Sequence, residues 1–444
     1  VASAPFGSLA EAIGWLDDHI DFEAKMPSAR ALPTLDRMRE LVDLLGHPEQ
    51  TYPVIHITGT NGKGSTAAMV TALLGAAGLR TGTYTSPNLS LVNERLSIDD
   101  VPIGDEAFTE VLSGLALLEP LLSARPTRFE LLTAAALAWF ADEAVDVAVV
   151  EVGLGGTWDS TNVVDGAVAV LTNVSYDHTD VLGPTLEGIA TDKSGIIKPG
   201  AGVVVGETAP DLVALIRRRA DEVGAAEVWL RGEEFDCTAN RVAVGGRLVD
   251  LRTPGAHYGE ILLPLHGAHQ GANAACALAA VEAFFAAPLS EEVVEAGFAR
   301  VRVPGRLEVV GRQPLVLVDG AHNAAGMAVL AAAITEDFAV EGPTVVVVGM
   351  LSGRDPSALL AALAPIKPET VIVCAPESPR AIGPDALAEA ARALGLDAVV
   401  ADSVADAISR GRAAVPESGL LLVTGSLYVV TEARTLLLGT TATP

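Results

Sequence analysis

The chain has 444 residues, enough for two or three domains with sizeable cores. Its formal net charge of −27 excludes a nucleic-acid or anionic-membrane partner, because both are held by clustered Lys and Arg. Half of the residues are apolar and only 4% aromatic, so the cores are built mainly of Ala, Val and Leu. Cys237, Cys276 and Cys374 lie far apart in no metal-ligand spacing and read as reduced residues of a cytoplasmic protein. No basic stretch leads into an apolar one at the start, and no apolar run reaches bilayer length, so neither signal peptide nor membrane span is expected.

In chain order, residues 8–46 show helical spacing in two stretches, one through Ile13, Leu16 and Ile20, the other through Leu35, Met38, Leu41, Val42 and Leu45. Gly46 and Pro48 stop the second, and an irregular loop is expected over 22–33. Residues 54–57 alternate and β-branch like the end of a buried strand, and an apolar helix follows from 67. Short strands are expected over 81–85 and at 96, a helix over 129–140, and apolar strands over 145–152 and 168–174. Strands alternating with helices indicate a mostly parallel α/β sheet, with ligands at the C-terminal strand ends. Residues 226–265 carry short alternating runs separated by Gly and predict a small antiparallel ribbon. Near 303 the pattern resets at Pro304, Gly305 and Arg306, and five further strand–helix units predict a smaller Rossmann-like domain. The expected division is therefore 1–302 for a larger N-terminal domain and 303–444 for the smaller C-terminal one.

The sharpest signal lies between the first apolar strand and its helix. Gly59, Gly62 and Gly64 allow a tight turn whose amides point inward, with Thr60, Asn61, Lys63 and Ser65 among them. A strand, a Gly-rich turn holding one Lys and a helix N-terminus make a phosphate cradle. The spacing differs from the ordinary P-loop: position 57 is Ile, and Gly64 follows the Lys where a hydroxyl would stand. Glu151, His178 and Ser86 each end a strand expected beside this one, and a carboxylate, an imidazole and a hydroxyl there suit Mg²⁺. Taken alone, Glu151 also fits a strand-end ion pair, His178 a structural histidine, Lys193 an exposed helix lysine, and Asn323 a helix cap after Asp319.

Ten motifs, in order over nearly the whole chain, carry a resemblance. They are GTNGKGS (59–65), TSPNL (85–89), NERL (93–96), EVGLGGTWDSTN (151–162), DHTDVLGPT (177–185), DKSGIIK (192–198), HQGAN (269–273), PGRLE (304–308), DGAHN (319–323) and TGSLY (424–428). On these the chain resembles the folylpolyglutamate synthase and dihydrofolate synthase family, relatives of the Mur ligases. The resemblance implies an ATP-dependent amide ligase that joins L-glutamate to dihydropteroate, to reduced folates, or to both, through an acyl phosphate.

It further implies roles at the matching positions. Gly59, Thr60, Asn61, Gly62, Lys63, Gly64 and Ser65 would hold the ATP phosphates, with Asn273, Arg306, Asp319 and His322 also contacting ATP. Ser86, Glu151 and His178 would hold Mg²⁺, with a monovalent cation as a further ion. Lys63, His178 and Lys193 form the catalytic set, Lys193 carrying a carbamate (N6-carboxylysine). Phe129, Trp158, Asp159 and Ser160 would line the pterin pocket. Asn88, Thr157 and Ala324 stand where the family commonly has His, Arg and Pro. The competing readings are a P-loop ATPase or kinase that forms no amide, and a non-catalytic nucleotide- or folate-binding protein. A monomer is expected.

Overall fold

The computed structural model describes residues 5–23 and 34–439. Most of the loop expected over 22–33 lies outside the described residues. The chain forms two compact units. The first comprises residues 1–240, 249–263 and 271–301, and the second 241–248, 264–270 and 302–444.

The first unit is built on an eight-stranded sheet. Its strands are β1 (Val54–Thr58), β2 (Thr81–Tyr84), β3 (Leu96–Ile98), β4 (Val101–Pro102), β5 (Val147–Glu151), β6 (Val168–Leu171), β7 (Gly202–Val205) and β8 (Glu227–Leu230). The order is β4-β3-β2-β5-β1-β6-β7-β8. The six strands from β2 to β8 in that order run parallel, while β3 and β4 add antiparallel to the edge at β2. β1 and β5 are buried at all five positions, as expected of central strands covered on both faces. In register, Ile57 pairs with Glu151 and Thr58 with Leu171, so the loops after β1, β5 and β6 leave the sheet side by side.

β8 corrects the sequence expectation for residues 226–265. Residues 227–230 pair parallel with β7 as the last strand of the main sheet. Three antiparallel strands follow separately: β9 (Asp236–Ala243), β10 (Gly246–Arg252) and β11 (His257–Leu263). A four-residue edge strand that runs from an exposed Glu227 to a buried Leu230 is too short to show whether it continues the sheet or opens the ribbon, so the pattern alone could not separate the two.

The second unit carries β12 (Glu308–Arg312), β13 (Leu315–Val318), β14 (Thr344–Val348), β15 (Thr370–Val373), β16 (Ala398–Val400) and β17 (Leu420–Thr424). Their order is β12-β13-β17-β14-β15-β16, parallel except for β12. Val346, Val348, Val371, Leu420 and Leu422 form its core with Leu330, Leu359 and Leu387 from the helices. Among the described residues, no helix is long and apolar enough to cross a membrane.

Candidate active site

β1 ends at Thr58, and the next residue has φ of 152°. Only glycine fits there: a Cβ on Gly59 would stand 1.8 Å from Thr172 Oγ1. Gly62 has φ of 84° and caps the helix Lys63–Ala76 without a side-chain hydrogen bond. That helix carries no acidic residue in its first turn, so its leading amides remain available to an anion. A Cβ on Gly62 would stand 2.5 Å from Asn273 Oδ1, which places the Asn273 carboxamide directly against the turn.

The loop is pinned from the side by the segment after β6. Thr60 N donates to Asn173 O (2.9 Å), Asn61 N to Asn173 Oδ1 (3.0 Å) and Ser175 N to Thr60 Oγ1 (3.0 Å). Thr172 Oγ1 and Asn173 Nδ2 both donate to Asn61 O, at 2.7 and 2.8 Å. Sequence reasoning missed Thr172 and Asn173; their signal was two polar residues placed directly after an apolar strand.

Two lysines converge on this loop. Lys63 Nζ donates to Gly59 O (3.0 Å) and Thr60 O (3.3 Å), and Lys193 Nζ donates to the same Gly59 O at 2.9 Å. Lys193 ends the helix Leu186–Lys193 and is buried. Burial, and next the positive charge of Lys63, push its pKa down to about 7. It is therefore not the exposed helix lysine that its sequence alone allowed.

Glu151 ends β5 and is buried. Its Oε2 accepts from Ser86 N at 3.2 Å, and a Cβ on Gly64 would lie 3.6 Å from it. Ser86 and Glu151 thus meet at the start of the helix Lys63–Ala76. His178 sits in the left-handed region (φ 50°), with its amide on Asp177 Oδ1 (2.8 Å) and its Nε2 3.8 Å from the same oxygen. Among the described residues no three His, Cys, Asp or Glu side chains are grouped as a metal site. One buried carboxylate beside a glycine-rich turn and an uncapped helix N-terminus fits Mg²⁺, which takes one or two carboxylates and completes its shell with phosphates and water.

The loop after β5 closes over the same strand end. Phe129 packs on it: a Cβ on Gly153 would stand 2.5 Å from the Phe129 ring, which also lies 6.0 Å from the Tyr84 ring between centroids. Trp158 is half-buried and Ser160 buried. Asp159 is buried and committed within the loop. Its Oδ2 accepts from Leu154 N (2.9 Å), and its Oδ1 from Thr161 N (3.0 Å) and Thr161 Oγ1 (2.5 Å). Burial raises its pKa above the usual carboxylate range. Thr157, at one departing position, donates its hydroxyl to Asp192 O at 2.9 Å, and Asn88, at another, accepts from the buried Arg95 at 2.8 Å.

In the second unit, Arg306, Asp319 and His322 gather around Gly320. A Cβ there would stand 3.0 Å from Arg306 Nη1, and His322 Nδ1 lies 2.9 Å from Gly320 O. Asp319 accepts from Leu307 N (2.7 Å) and Ala321 N (2.8 Å), which gives its carboxylate a loop-holding role. Asn323 caps the helix Ala324–Asp337, accepting from Gly326 N at 2.7 Å. Ala324 is thus the first helical residue, a position that suits Pro equally.

A model described as the Mur ligase middle domain matches residues 57–281, and one described as the Mur ligase glutamate ligase domain matches residues 305–427. The dihydrofolate synthase/folylpolyglutamate synthase of Mycobacterium tuberculosis is 41% identical, over 93% of this chain and 92% of that protein. The folylpolyglutamate synthase of Lacticaseibacillus casei is 35% identical, over 91% and 94%. The M. tuberculosis folylpolyglutamate synthase solved with ADP superposes with a TM-score of 0.90 at 40% identity, covering 97% of this chain and 98% of that one. An E. coli protein solved with DHPP and ADP superposes at 0.85 and 31% identity, covering 98% and 99%.

Proposed function

This chain belongs to the dihydrofolate synthase/folylpolyglutamate synthase family of Mur-type glutamate ligases, and we propose that it adds L-glutamate both to dihydropteroate and to the tails of reduced folates. The observation that carries the reading is the convergence of Lys63 and Lys193 on one carbonyl, beside an open helix N-terminus and the buried Glu151. The double substrate range is supported by the relatives named with both activities in M. tuberculosis, Bacillus subtilis and E. coli.

A carboxylate is a poor electrophile, so ATP must first turn one of its oxygens into a leaving group. The substrate carboxylate oxygen attacks the γ-phosphorus and ADP departs, leaving an acyl phosphate. The amine of L-glutamate attacks the carbonyl carbon, loses a proton and expels phosphate. Residues 59–65 cradle the phosphates, and Lys63 neutralises charge on the transferred group. Asn273 supports the same loop, while Arg306 and His322 contact ATP. Ser86, Glu151 and His178 are the residues that would hold Mg²⁺, which supplies charge neutralisation at the phosphates. Lys193, whose pKa burial and then Lys63 lower to about 7, adds to CO₂ as the neutral amine and releases one proton, giving an anionic carbamate at the site. Phe129 and residues 158–160 take the pterin. The enzyme works as a monomer in the cytoplasm, with residues 1–302 and 303–444 as its two domains.

The test offers dihydropteroate and tetrahydrofolate separately, with ATP and L-glutamate, and reads products by mass spectrometry. One glutamate on dihydropteroate and a ladder on tetrahydrofolate are expected. Product from only one acceptor overturns the double range, and phosphate release that ignores L-glutamate overturns the ligase reading.

A further inference from the structure

Residues two apart on a strand share a face, so His56 and Thr58 leave β1 on the same side. Both take hold of the loop that follows β5. Thr58 Oγ1 donates to Gly155 O at 2.8 Å, and His56 Nε2 lies 2.9 Å from Thr161 Oγ1. The Thr161 hydroxyl has one proton and lies 2.5 Å from Asp159 Oδ1. Asp159 acts as acceptor throughout, its Oδ1 also taking Thr161 N and its Oδ2 Leu154 N, so the hydroxyl that donates to it accepts from His56, which makes the imidazole the Nε2–H tautomer. The other ring nitrogen, Nδ1, is buried with no hydrogen-bond partner.

That orphan is a cost. A buried acceptor without a partner destabilises by about 1–3 kcal/mol, and the imidazole is fully buried between Ile55 and Ile57 in a central strand. An aliphatic residue would suit the strand better. Burial first, and Lys198 second, also push the His56 pKa down to about 3, so it carries no charge at neutral pH. What the histidine contributes is one directed N–H.

We propose that His56 is a positioning residue for the pteroate substrate, acting through Thr161 on Asp159 to fix the loop of residues 153–161. The inference rests on the assignment of the pterin to that loop, made above. Thr58 adds a second tie between the same loop and the strand, one residue before the carbonyl that receives Lys63 and Lys193. β1 therefore holds the loop assigned to the pterin and the loop assigned to the phosphates in one register.

The test compares His56→Leu, His56→Gln and Thr161→Val in the full chain, with dihydropteroate and ATP varied in turn and melting followed in parallel. Leu at 56 and Val at 161 should raise the KM for dihydropteroate by about tenfold, the worth of one well-placed hydrogen bond, and leave the KM for ATP within about twofold. Gln at 56 can donate to Thr161 from its amide and should recover most of the loss. His56→Leu should melt at or above the wild type, because it removes the orphaned nitrogen. An unchanged dihydropteroate KM overturns the inference. So does a joint rise in both KM values with lowered melting and no recovery in His56→Gln, which marks a packing residue only. Should His56→Leu fail to fold, Thr161→Val, which keeps the volume, decides. ¹⁵N NMR of the wild type gives an independent reading: an Nδ1–H tautomer overturns the proposal. If the wild type shows no glutamate-dependent turnover, the functional reading has failed instead, and the tautomer measurement still tests the histidine.

Discussion

Lys63 and Lys193 share one acceptor, the carbonyl oxygen of Gly59, at 3.0 and 2.9 Å. Their nitrogens are thus no more than 5.9 Å apart, the sum of those two distances. Two full positive charges at that spacing repel, and the buried one yields. Lys193 falls to about pH 7, driven by its burial first and by Lys63 second. In the proposed mechanism the pair divides the work: Lys63, beside the helix N-terminus, serves the phosphate, and Lys193 supplies the amine.

Lys63→Ala should fold and fail to turn over. Lys63 is only half-buried, and Gly59 O keeps its bond from Lys193 when Lys63 is gone, so melting should shift by no more than a few degrees. kcat should fall by about 10²-fold or more, as when one electrostatic contact to a transferring group is removed. Activity within a few-fold of wild type sinks the phosphate assignment.

Glu151→Gln keeps the shape and the hydrogen bond from Ser86 N while removing the charge. The Mg²⁺ concentration for half-maximal activity should rise by at least about tenfold, since a hard cation loses its anionic protein ligand. An unchanged Mg²⁺ dependence makes Glu151 a structural strand-end carboxylate.

How far the sequence foretold this site follows from what each position encodes. The glycines at 59 and 62 and the single lysine that opens the helix after β1 were legible, because positive-φ backbone and a lone cation leave few alternatives. The strand-end position of Glu151 was legible for the same reason, as a carboxylate closing an apolar run. The pinning of the loop by Thr172 and Asn173 was not, since hydrogen bonds to residues more than a hundred positions away leave no local pattern. Nor was the place of β8, whose four residues are too few for their pattern to say which sheet it joins. Asp159 read as a pocket residue on its motif alone; its carboxylate also organises its own loop, which only the fold reveals.

Gly62→Ala tests the approach of Asn273. The backbone there has φ of 84°, and the new Cβ would meet Asn273 Oδ1 at 2.5 Å. Both strain and contact oppose the substitution, with a stability loss of about 1–3 kcal/mol and a raised KM for ATP. Adding Asn273→Ala removes the contact and leaves the strain. The double variant should regain stability over Gly62→Ala alone but not ATP affinity, if Asn273 serves ATP as well as the loop. Recovery of both makes Asn273 a spacer.

Lys193 gives a prediction whose sign can be worked out. Its pKa in the fold, about 7, lies below the 10.5 of an unperturbed lysine. Between those values the unfolded chain holds the proton and the folded chain does not, so this residue's contribution to stability improves as pH rises through the window. Its penalty is complete below about pH 7 and gone above about pH 10.5. Lys193→Met should therefore be more stable than wild type near pH 7, by an amount on the order of a few kcal/mol, and the difference should shrink towards pH 10. Taking the difference between the two proteins cancels the shared effect of the −27 charge. Activity should move the other way. The variant should lose nearly all turnover, because the amine proposed to capture CO₂ is gone. In Lys193→Ala, which leaves room, a short carboxylic acid in the buffer should restore part of it. A Lys193→Met protein that is both less stable and active would show a lysine held for structure by Gly59 O, with no carbamate in the reaction.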